Sequence, residues 1–83
     1  MDKLLKAFAN KRRLAIIQLL KSKKNLSVSD LARGIKLSLR STSRHLSILH
    51  HVNVVDREQK GLTVFYALVP SLSALAKDIL KHL

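Results

Sequence analysis

The 83-residue chain carries sixteen Lys and Arg against five Asp and Glu, a formal charge of +11, with no cysteine. The missing cysteines exclude a disulfide scaffold, a thiolate metal site and thiol redox chemistry, and a hydrophobic content of 47% excludes disorder. A body this basic points to nucleic acid, an anionic membrane surface or an acidic protein partner.

The length fits one domain, residues 1–83. A chain so short buries only about 60% of its unfolded surface and often needs a second subunit. No apolar run approaches the roughly 18 residues of a spanning helix, and the charged N-terminus is not a secretory signal. The expected location is the cytoplasm, at the nucleoid, with no membrane partner.

In chain order, residues 2–9 predict a short amphipathic helix with Leu4, Leu5 and Phe8 apolar, closed by Asn10. A second helix runs from Lys11 to about Ser22. Its apolar band, Leu14 to Leu20, is wider than one stripe and predicts contact on two sides. Lys11, Arg12 and Arg13 oppose the helix dipole at its start, so they are either solvated or meet phosphate. Residues 22–25 read as a polar turn. Ser27-x-x-Asp30 resembles a capping box and opens a third helix to about Ile35, with Gly34 near its end.

Ser38 is a good N-cap for a fourth helix. Leu39, Thr42, Leu46 and Leu49 recur at helical spacing and predict the buried face. Arg40, Ser43, Arg44, Ser47 and His51 fall on the other side, a face of donors and positive charge without an acid. Helix, turn and helix over 28–51 make a helix-turn-helix. Asn53 suits a tight left-handed turn. Strands over 54–58 and 62–68, joined through Gln59-Lys60-Gly61, make a hairpin. A lone hairpin is unstable in water, so it must lie on the helices as the wing (54–68) of a winged helix. A last helix, 71–82, follows Pro70. The predicted class is mainly α with a small β-hairpin, a winged helix-turn-helix of order α-α-α-α-β-β-α.

Leu26-Ser-Val-Ser-Asp-Leu-Ala, Ser43-Arg44-His45-Leu46, and Gly61 followed by Val64, Phe65, Tyr66 and Leu68 together resemble the ArsR/SmtB type of winged-helix repressor. Phe8-Ala9-Asn10, Arg13-Leu14 and Ile17 resemble that family's opening, with Lys11 in place of proline. The resemblance covers residues 4–69. It implies a homodimer paired through the first and last helices. Leu4, Leu5, Phe8, Leu72, Leu75, Ile79 and Leu83 are the candidate interface, since these apolar faces exceed what the small core needs. The resemblance also implies a Cys-x-Cys metal site, but Ser27 and Ser29 stand at those positions, and hydroxyls do not replace soft thiolates. Asp78 and His82 share a helix face without the further ligands such a site needs. No metal or cofactor is expected.

For double-stranded DNA, Arg40, Ser41, Ser43 and Arg44 are assigned to the groove, with Arg40 the candidate for a bidentate guanine contact. Ser38 caps the helix and leaves N–H groups for phosphate. Lys36, Lys60 and Arg57 are candidate backbone or wing contacts. His45 is expected at the edge of the buried face, at the junction with the wing. The chain shows no carboxylate pair in a pocket, Gly-rich phosphate loop or metal constellation, which argues against an enzyme. The predicted function is a sequence-specific, dimeric DNA-binding repressor without a metal switch. The alternatives are a winged helix for protein–protein interaction and a low-specificity nucleoid-type binder.

Overall fold

The computed structural model describes residues 2–70 together with Asp78 and Lys81. Its elements are α1 (Asp2–Phe8), α2 (Lys11–Lys23), β1 (Asn25–Ser27), α3 (Val28–Ile35), α4 (Leu39–His51), β2 (Val55–Lys60) and β3 (Thr63–Leu68). Of the predicted last helix, Asp78 and Lys81 are helical. Leu72, Leu75, Ile79, His82 and Leu83 lie outside the described residues.

Small polar side chains begin three of the helices. Asn10 Oδ1 accepts the N–H groups of Arg12 and Arg13 at 2.9 and 3.1 Å. Ser27 Oγ accepts that of Asp30 at 3.1 Å, and Ser38 Oγ that of Ser41 at 3.1 Å. Each bond satisfies a donor that the first helical turn leaves orphaned. α3 ends with Lys36 in the left-handed conformation (φ 57°, ψ 50°) while Leu37 N–H returns to Ala32 O at 2.9 Å. Residues 36–38 are then the whole turn before α4.

The core is aliphatic. Ile16, Ile17 and Leu20 of α2, Leu31 of α3, Leu46 and Leu49 of α4, and Val54, Val55 and Tyr66 from the sheet side are buried together. α3 rides close on α2, since a Cβ at Gly34 would stand 2.5 Å from Leu19 Cδ2. Phe8 is also in this core, 5% exposed. The chain's own packing therefore takes up a side chain expected at the dimer interface. Leu4 packs partly against the same core, and Leu5 is 43% exposed.

The sheet has three strands, not two. Its order is β1-β3-β2, all antiparallel, with Asn25 opposite Ala67 and Ser27 opposite Phe65. The segment expected as a polar turn reaches across to become an edge strand, which makes β3 central. The wing also differs at its tip. Gln59 and Lys60 remain paired in β2, and the turn is Gly61-Leu62, closed by the Lys60–Thr63 pair. Gly61 has φ 62° and Leu62 does not share it, as a hairpin turn with glycine at its first position requires. Asn53 takes φ 61° at the turn between α4 and the sheet, as expected.

Candidate nucleic-acid interface

α4 buries Thr42, Leu46 and Leu49 and leaves Arg40, Ser43, Arg44, Ser47 and His51 in solvent. Leu39 departs from the expected inward set, being 55% exposed. It is the first residue after the cap, where the helix has only begun to approach the core, so periodicity places it on a face that nothing covers there. Ser41 is half-buried, its N–H held by Ser38. The N–H groups of Leu39 and Arg40 precede the first i→i−4 bond, from Thr42 to Ser38 O at 2.9 Å. They give this terminus partial positive charge.

No acid lies between residues 31 and 55, whereas Arg33, Lys36, Arg40 and Arg44 all do and all are exposed. Arg33 is partly neutralised, with Nη2 2.6 Å from Asp30 Oδ1, and that guanidinium holds the Asp30 carboxyl below its ordinary value. Lys36, Arg40 and Arg44 carry the field of the helix-turn-helix.

The wing contributes less clearly. Lys60 Nζ lies 3.3 Å from Glu58 Oε1 and 5.8 Å from the centre of the Phe65 ring. Strand alternation puts Asp56, Glu58 and Lys60 on one face of β2, and Arg57 and Gln59 on the other, opposite Tyr66 and Val64. The two wing cations therefore point away from each other. The first α4 turn and the wing tip enclose a cleft of about 280 Å³, lined by Val28, Ser29, Leu39, Ser43, Leu62 and Thr63 among others. Leu62, at the tip, is fully exposed.

His45 is half-buried, but its partner is on α2 and not on the wing: Arg13 Nη1 donates to His45 Nδ1 at 3.3 Å. The same guanidinium donates from Nε to Ala7 O at 2.8 Å and from Nη2 to Lys6 O at 3.0 Å. Arg13 is thus neither merely solvated nor free for phosphate. It caps the carbonyls of α1 and braces α4. A signal for this existed in the sequence, a cation at a helix start where the dipole disfavours it. Desolvation pushes the His45 pKa down, and Arg13, Arg12 and Arg44 push it further the same way.

The metal site that the resemblance implied does not fit these residues. Ser27 is buried, with its hydroxyl committed to the Asp30 N–H, and Ser29 offers another hydroxyl where a soft metal requires thiolate.

Residues 8–58 match the family described as "Helix-turn-helix domain", and the winged arrangement around them specifies the type. The chain belongs to the ArsR/SmtB-type winged helix-turn-helix regulators. It is similar to the "Transcriptional activator HlyU" of Vibrio cholerae, 42% identical over 65 residues that make up 78% of this chain and 59% of that protein. It therefore spans less than two thirds of the length of HlyU. It is also similar to the "Transcriptional repressor SdpR" of Bacillus subtilis, 32% identical over 68 residues, 82% of this chain and 74% of that one. Among solved structures of the family, NolR from Sinorhizobium fredii superposes with a TM-score of 0.83 at 32% identity, covering 98% of this chain and 77% of that chain.

Proposed function

We propose that this ArsR/SmtB-type chain is a DNA-binding transcriptional regulator that acts as a homodimer and reads duplex sequence through α4. The observation that carries this is the acid-free run 31–55, which folds so that Arg40, Ser43 and Arg44 stand exposed on one face of a capped helix. Exposed guanidinium and hydroxyl groups are the donors that the major groove and flanking phosphates require. Lys36 and the Ser38 terminus meet backbone phosphate, and Lys60 and Arg57 supply contacts from the wing.

The reading head is completed by a second copy. Leu5 on α1 is an apolar side chain in solvent, and the apolar residues of 71–83 extend the surface available for pairing. Two copies present two α4 helices to half-sites about one helical turn apart. The regulator represses by occupying its operator, in the cytoplasm at the nucleoid, as a binding protein and not as an enzyme. Its relatives carry both signs in their names, activator for HlyU and repressor for SdpR. Occupancy by a small, strongly basic reading head favours repression.

Selection of duplexes from a random pool tests this. The expected result is a palindrome with half-sites about one turn apart, bound by a dimer in sedimentation. A monomer that ignores duplex DNA at low salt overturns the proposal.

A further inference from the structure

The described residues expose four large apolar side chains: Leu5, Leu39, Ile48 and Leu62. Two of them, Leu39 and Leu62, line the one cleft between the start of α4 and the wing tip, on the side of the molecule that carries Arg40 and Ser43. A capped, acid-free helix start is an unfavourable place for a bare leucine unless something apolar meets it. Its neighbours limit what that is. Arg40 follows it directly, and Ser43 sits one turn on, sharing the cleft with it. An apolar side chain between a guanidinium and a hydroxyl, in a major groove, meets the one apolar group that the groove displays, the C5-methyl of a pyrimidine.

Resting on the DNA-binding reading above, we propose that Leu39 is a specificity-determining residue that selects a 5-methylpyrimidine in each half-site. Arg40 supplies hydrogen bonds to a neighbouring base, and Leu39 supplies the methyl contact that hydrogen bonds cannot. Thymine and 5-methylcytosine share the chemistry. The contact thus also gives the site a sensitivity to cytosine methylation at the same position. Leu39 is not in the core, so Leu39→Ala leaves the fold intact, and a helix-favouring residue remains after the cap.

The test uses the full chain and the duplex selected from the random pool. At each pyrimidine of the half-site, thymine is replaced by deoxyuridine, and cytosine by 5-methylcytosine. Loss of one methyl contact weakens binding about fourfold per half-site. The expected result is one position at which deoxyuridine weakens wild-type binding by that factor, or at which 5-methylcytosine tightens it. The same change has no effect on Leu39→Ala. Leu62→Ala keeps the wild-type response. If the wild type binds the selected site specifically yet every methyl change is silent, or if Leu39→Ala keeps the response, the methyl contact is overturned while DNA reading stands. If no duplex is selected, both fall together.

Discussion

Arg13 on α2 ties the end of α1 to the middle of α4, with three donors on three acceptors: Ala7 O at 2.8 Å, Lys6 O at 3.0 Å and His45 Nδ1 at 3.3 Å. Arginine cannot accept, so His45 Nδ1 must, and the imidazole is held neutral with its proton on Nε2. The proposed dimer helix and the proposed reading helix are thereby joined through one planar fork.

Removal of that fork leaves two carbonyls and a ring nitrogen without their partner. Arg13→Ala is expected to lower stability by about 1–3 kcal/mol, seen in urea as a lower midpoint at unchanged slope. Arg13→Lys recovers less than half, because an ammonium lacks the planar fork. An unchanged midpoint for Arg13→Ala means that the clamp does not hold the helices.

His45 gives the fold a dependence on pH. Burial, then Arg13, Arg12 and Arg44, depress its pKa below the ordinary 6.5. The unfolded chain therefore takes the proton more readily than the folded protein. Stability is complete above that value and is lost as pH falls from it toward the depressed folded value. The Asp30 carboxyl, held down by its hydrogen bond to Arg33, contributes separately, below 3.8. Denaturation midpoints followed from neutral pH toward about pH 5 are expected to fall for the wild type, and to fall less for His45→Gln. Equal slopes in the two proteins remove His45 as the cause.

Thr42 Oγ1 is buried and has no hydrogen-bond partner. Thr42→Val keeps the shape and removes the orphaned hydroxyl. It is expected to raise stability by about 1 kcal/mol, with DNA affinity unchanged because the side chain faces the core. A destabilised Thr42→Val protein shows that the hydroxyl has a partner in solution.

Lys60 and Arg44 are expected to differ at the DNA. Arg44→Ala should flatten the dependence of log affinity on log salt by about one unit. Lys60→Ala should flatten it less, because Glu58 already neutralises part of that charge. Glu58→Gln then steepens the dependence and tightens binding at low salt. Indifference of the salt slope to Glu58→Gln shows that the wing tip stays away from phosphate.

Local chemistry made much of this chain readable. Asn10, Ser27 and Ser38 cap helices as their side chains suggest, Asn53 takes a left-handed turn, and the 3.6-residue spacing of Thr42, Leu46 and Leu49 marks the inner face of α4. The exposed set Arg40, Ser43 and Arg44 follows from the same period. Leu39 shows where periodicity stops. Spacing gives the direction of a side chain but not whether a neighbour is there to cover it.

By itself, then, the sequence determined the helices and their caps, the family, the wing and the acid-free reading face. These depend on groups a few residues apart and on charge, which needs no coordinates. The tertiary structure alone decided the third strand, the place of Phe8, the exposure of Leu39 and the bond from Arg13 to His45. Three residues, Asn25–Ser27, are too few to show a period, and their strand exists only because β3 returns from far along the chain to pair with them. His45 likewise meets a guanidinium from another helix. Such contacts belong to the packing, and no local pattern encodes which distant side chain arrives.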